Sequence, residues 1–163
     1  MINEIEAAKT EMQEKLDHVV APGAVVVVDL GGAGGASDFV RIPVDRFEML
    51  FARPVFGADG ATAGHYFWAV CFEVGFDMGG PQHVRIFKME NVTEERPDLF
   101  LFRDQRGYDC FIESVDVIDD ERRADFKRWR EYKARNKEAF ERLYGEFTAE
   151  SLEMALNMEA AGE

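Results

Sequence analysis

Five side chains able to bind a metal or move a proton lie close together in the middle of the chain: His65, Cys71, Glu73, Asp77 and His83. A metal or acid–base site needs donors clustered in this way. On one extended strand His65, Cys71 and Glu73 share parity, and His83 opens the next strand across a turn, so two or three of them can share a sheet face. Their spacing matches no known ligand motif, and a histidine at a strand end is more often a structural residue. One functional reading therefore uses His65, Glu73 and His83 as the polar groups of a small-ligand or enzyme pocket near a glycine-rich loop. The structural reading has Glu73 buried on a central strand, its desolvation offset by Arg85 or Lys88 on the neighbouring strand.

The glycine-rich loop itself, Gly31-Gly32-Ala33-Gly34-Gly35-Ala36-Ser37, follows a strand and invites comparison with a phosphate-binding turn. Ser37 stands where the third glycine of that fingerprint belongs, the following residues are extended rather than helical, and no Walker-type lysine follows. A flexible hairpin loop fits better than a lid or a backbone cradle. Nucleophilic catalysis has less support still, because no serine or cysteine occupies a strand-turn-helix elbow and only three histidines exist to act as base. Cys71 and Cys110 sit in apolar strand-like runs, as free buried cysteines do. No residue pattern calls for a metal or another cofactor, and the residues point away from an enzyme.

Charge is the other functional signal. The formal net charge is −13 over 163 residues, unevenly spread. Residues 91–120 hold nine acids against three arginines, residues 121–145 hold nine bases against five acids, and residues 146–163 have no base at all. Such a surface disfavours direct nucleic-acid binding. It suits a basic protein partner, or, in a narrower form, an inhibitor that imitates nucleic-acid charge toward a nucleic-acid-binding protein. The partner-binding candidates are Glu94, Glu95, Asp98, Asp104, Asp109, Asp116, Asp119 and Asp120 in the first acidic stretch, and Glu146, Glu150 and Glu153 in the second. The plainer explanation of the same charge is solubility.

The elements that must position these residues can be read in order. Asn3 and Glu6 resemble a capping box, and Ile5, Ala8, Met12, Leu16 and Val19 recur at helical spacing up to Pro22-Gly23. Ala24 to Leu30 reads as a buried strand, with Phe39 to Ile42 as a short partner stopped by Pro43. Val44 to Phe51 is consistent with one or two helical turns, and Gly57 to Gly64 with a loop. His65 to Val74 is aromatic on both faces and predicts a central strand covered on both sides. His83 to Met89 follows as a strand with Arg85 and Lys88 partly exposed. Leu99 to Arg103 and Tyr108 to Val117 flank Asp104-Gln105-Arg106-Gly107, a hairpin signal.

The longest periodic segment is Asp120 to Phe147, where Phe126, Trp129, Tyr132, Asn136, Phe140, Leu143 and Phe147 form one apolar stripe. Glu131/Arg135 and Glu138/Arg142 stand at i,i+4 in the favourable order. The basic flanks of the stripe (Arg128, Arg130, Lys133, Arg135, Lys137) are expected to pair with the domain's own acids, making this helix an internal strut. Gly145 reads as its stop, and Thr148 starts a short, methionine-rich last helix whose Met154 and Met158, with Phe147, offer a surface for a homodimer. The whole, residues 1–163 as a single domain, is α+β: an antiparallel meander sheet packed against an N-terminal helix, a long helix in the C-terminal half and a short last one. No apolar run reaches the roughly 18 residues of a membrane span. The acidic first residues lack the pattern of a signal peptide, which makes the cytoplasm the expected location.

Overall fold

The computed structural model describes residues 2–20, 23–31, 38–75, 80–91, 102–114 and 120–162. In chain order these form α1 (Ile2–Val20), β1 (Ala24–Asp29), β2 (Phe39–Phe56), β3 (Thr62–Glu73), β4 (Gln82–Asn91), β5 (Phe102–Asp104), β6 (Asp109–Ser114), α2 (Asp120–Arg135) and α3 (Lys137–Ala161). The expected α+β architecture is present, with the meander closed on itself: each strand pairs antiparallel with the next, and β1 pairs with β6 to complete a barrel. Among the described residues no helix is long and apolar enough to cross a membrane.

Closure follows from β1, whose run of valines is buried on both faces. Val26 and Val28 point into the barrel and join Phe47, Cys71, Phe87, Phe102 and Cys110 in one core. Val25 and Val27 point outward and are covered by Phe126 of α2. The aromatic strand β3 behaves the same way. Phe67, Ala69 and Cys71 face inward, while Trp68, Val70 and Phe72 face outward beneath Trp129, Phe140 and Tyr144 of α2 and α3. Alternation thus sorts one strand into two cores, and each aromatic ring meets a partner: Phe87 and Phe102 inside at 4.3 Å, Phe72 and Tyr144 outside, edge on, at 4.9 Å.

The expectation for β2 needs correcting. Neither Pro43 nor Pro54 stops it, and Val44 to Phe51 is strand rather than helix. Register shifts between Val44 and Arg46 and between Met49 and Phe51 mark bulges that break the two-residue period. Val44, Phe47 and Met49 therefore point inward while Leu50 and Phe51 point outward, a pattern that imitates a helical one. Beyond Val44, β2 has β3 as its strand neighbour on one side only, the edge position at which a proline such as Pro54 is tolerated.

Past that point α1 takes over from β1. Met12 and Leu16 enter the barrel core, and the Gln13 side chain works as a surrogate strand, its Nε2 donating to the Phe47 carbonyl at 2.9 Å and its Oε1 accepting from the Met49 N–H at 2.8 Å. Gln105 does the same for β4, where Ile86 N–H donates to its Oε1 at 3.1 Å beyond the end of the three-residue β5. Backbone polar groups that closure leaves unpaired are thereby satisfied.

The stripe of residues 126–147 is not one helix. The break falls at Asn136, not at Gly145, so the last helix is the longer one, 25 residues. Asn136 Nδ2 donates to the Tyr132 carbonyl at 2.9 Å, the local side-chain bond by which asparagine competes with helical backbone. Gly145 lies inside α3, exposed, and Thr148 does not cap a new helix: its hydroxyl donates back to the Tyr144 carbonyl at 2.6 Å. One glycine is required by its backbone: Gly23 has φ +104°, and a Cβ there would also lie 3.0 Å from the Phe126 ring.

Candidate functional site

The glycine-loop pocket does not assemble from its three named residues. His65 and Glu73 stand eight residues apart on β3, which is about 26 Å of strand. His65 lies beside Phe67, a ring of the inner core, at 6.4 Å. A register shift between Cys71 and Phe72 puts His83 opposite outward-facing Phe72, and its ring meets Phe147 of α3 at 5.9 Å. His65 and His83 thus belong to different faces of the sheet, and Cys71 is sealed in the interior. Asp77 and the loop residues 32–37 lie outside the described residues, although β1 and β2 do pair as the hairpin that the loop implies. Among the described residues no three His, Cys, Asp or Glu side chains converge as a metal site would require.

Neither expected partner serves Glu73. Arg85, expected to be partly exposed, is buried and donates through Nη1 to Asp104 Oδ2, while Lys88 pairs with Glu90 at 3.7 Å. Asp104 is the larger correction, because a candidate for the partner-binding surface has no exposed side-chain area. Its other oxygen accepts the backbone N–H groups of Arg106 at 2.9 Å and Tyr108 at 3.0 Å, closing the β5–β6 turn from within. The two free cysteines lie in the same interior. Burial pushes the Cys110 thiol up to about 12 and raises Cys71 as well, so both stay protonated and unreactive near neutrality.

A second acid has its side chain enclosed between the barrel and the helices. Asp45 occupies the first bulge of β2, 5% exposed, and receives Lys133 Nζ of α2 at 3.0 Å on one oxygen and the Tyr144 hydroxyl of α3 on the other. Burial and the Asp45 carboxylate push the Tyr144 phenol above its ordinary range, which keeps it a donor. Beside it Arg46 bonds Glu48 and Glu141 and lies 4.7 Å above the Tyr144 ring. Farther along α3, Glu159 accepts from Arg53 Nε at 3.0 Å and Trp68 Nε1 at 2.9 Å. These clusters tie the helices to the barrel wall. The bulge was the only signal that could have revealed Asp45, and its broken periodicity reads locally as helix.

The remaining acidic candidates divide. Asp109 is exposed but pairs with Arg103 at 3.1 Å, and Asp120 with Arg123 at 3.3 Å. Glu94, Glu95, Asp98, Asp116 and Asp119 lie outside the described residues. Glu146, Glu150 and Glu153 are exposed on α3, at i, i+4 and i+7, and form no ion pair among the described residues. On a 3.6-residue helix they share one flank, turned away from the buried line of Phe140, Tyr144, Ser151 and Ala155. Exposed Met154 and Leu156 adjoin them in sequence.

The strut reading of the basic flanks holds for Lys133, which reaches Asp45, and for Arg128, which pairs with Asp125 on its own helix. Among the described residues exposed Lys137 has no ion pair, and the Glu131/Arg135 and Glu138/Arg142 pairs do not form.

Among the described residues the fold is a six-stranded antiparallel barrel capped by helices, with its enclosed acids paired across elements and exposed acids on α1, α2 and α3. No family model, curated protein or solved structure matches the chain.

Proposed function

We propose that this is a non-enzymatic binding protein that receives a basic segment of a protein partner on the acidic flank of α3. The observation that carries this reading is the contrast in how acids are used: Asp45, Asp104, Glu141 and Glu159 are each paired with a cation from another element, whereas Glu146, Glu150 and Glu153 stand together in water with no ion pair among the described residues. Exposed Met154 and Leu156 supply the apolar contact that charge alone lacks.

The flank does not suit a second copy of the chain. Pairing two α3 helices antiparallel about the midpoint between Ala149 and Glu150 would set Glu146 against Glu153, and like charges in contact are repulsive. Nor does α3 alone reach the charge density of a nucleic acid. The three glutamates span about 10 Å of helix axis, whereas duplex DNA carries about one charge per 1.7 Å. A basic protein helix or strand is the better match, with the nucleic-acid-mimicking inhibitor as a narrower form that depends on further acids.

The test is the anisotropy of a labelled lysine- and arginine-rich peptide titrated with the protein. Binding should weaken at least about tenfold between roughly 50 and 200 mM salt. It should weaken at least as much in the triple variant Glu146→Gln, Glu150→Gln, Glu153→Gln. Neutralising Glu4, Glu6 and Glu14, three exposed acids of α1, is the control. An equal loss in the control would assign the binding to net charge rather than to α3, and salt-independent binding would remove the electrostatic basis.

A further inference from the structure

Between the end of α1, the first bulge of β2 and α2 lies an open hollow of about 270 Å³. Asp17 faces it from α1, Arg130 and Lys133 from α2, and Val20, Val44 and Phe126 supply apolar wall. Asp45 and Arg46 also border it, but their charges are already spent, the first on Lys133 and Tyr144 and the second on Glu48 and Glu141. Two charges are left over. Among the described residues Arg130 has no counter-ion, and Asp17 accepts only the Gln13 amide, at 2.9 Å. They have opposite signs and line one hollow from two different helices, yet they do not close to the 4.0 Å of an ion pair.

We infer that this hollow binds an amino-acid-sized zwitterion with an apolar side chain, its ammonium on Asp17 and its carboxylate on Arg130. An anion alone would meet Asp17, and a cation alone would meet Arg130 and Lys133. A ligand carrying both charges a few bonds apart answers both, while Val20, Val44 and Phe126 cover its side chain. The carbonyl end of α1 adds negative potential on the Asp17 side, where it favours the ammonium. This site is independent of the α3 flank.

The experiment is an amide-resolved NMR titration of the full chain with L-leucine up to about 20 mM, enough to populate a millimolar site. The expected result is a saturable shift confined to residues near 17–20, 44–46 and 126–133. N-acetyl-L-leucine, which lacks the ammonium, and L-leucine amide, which lacks the carboxylate, should each bind at least about tenfold more weakly, the loss of one charge-assisted contact. Asp17→Asn and Arg130→Ala change exposed side chains and should abolish the shift without moving the melting temperature. No saturable shift with leucine would overturn the inference. So would equal binding of either blocked form, which would make this a simple ion site, or variants that bind like the parent. The blocked ligands are tested on the unaltered protein, so they decide the matter even if a variant folds poorly.

Discussion

At the β5–β6 end of the barrel, Asp104 is shut away from water and satisfied by Arg85 and two backbone N–H groups. On the outer flank of α3, Glu146, Glu150 and Glu153 stand in water with no cation paired to them among the described residues. Each of these acids counts equally toward the net charge, and the two regions do opposite work. A buried acid sets geometry, because leaving it unpaired is costly, whereas an exposed acid adds little to stability and is free to meet something else. Surface charge in this protein is thus what remains after the barrel has taken the acids it needs.

The comparison breaks most visibly at Arg85. Replacing it with alanine leaves the Asp104 carboxylate buried without its cation, and urea unfolding should show a loss of about 3 to 5 kcal/mol; a loss below about 1 kcal/mol would mean the acid is effectively solvated. Asp45→Ala comes next. The Tyr144 hydroxyl loses its acceptor while Lys133 can turn outward, so the loss should be about 1 to 3 kcal/mol. Gln13→Ala tests the surrogate strand and should cost about 1 kcal/mol, with faster hydrogen exchange at the Met49 amide. The smallest effect belongs to α3, where neutralising Glu146, Glu150 and Glu153 together should move stability by no more than about 0.5 kcal/mol while removing peptide binding. If that triple variant unfolded as readily as Arg85→Ala, the two regions would not differ in kind.

How far the candidate site could be read in advance follows the same division. Glu146, Glu150 and Glu153 were legible as acids of the base-free residues 146–163, but a stop at Gly145 leaves Glu146 outside the last helix, and only the unbroken α3 sets the three on one flank. Asp104 was not, because a hairpin signal says that Asp104-Gln105-Arg106-Gly107 turns and not that its first residue points into a barrel. Asp45 was hidden by the bulge that makes it useful. Asp17 and Arg130, far apart in the chain and unremarkable in either helix, become a pair only where α1 and α2 face one hollow.

The order and type of most elements can be read from the sequence: the first helix, the doubly apolar β1 and β3, the tight β5–β6 turn and the amphipathic C-terminal stripe. These depend on local period and turn chemistry, which neighbouring residues encode. Only the tertiary structure decided that β1 closes onto β6, that β2 runs through two prolines, that the C-terminal stripe bends at Asn136, and which acids are buried. Each of these depends on pairing across dozens of residues. There the gain from burying both faces of a strand outweighs local propensity, and the partner that satisfies a bulge, an edge or a charge comes from a distant segment of the chain.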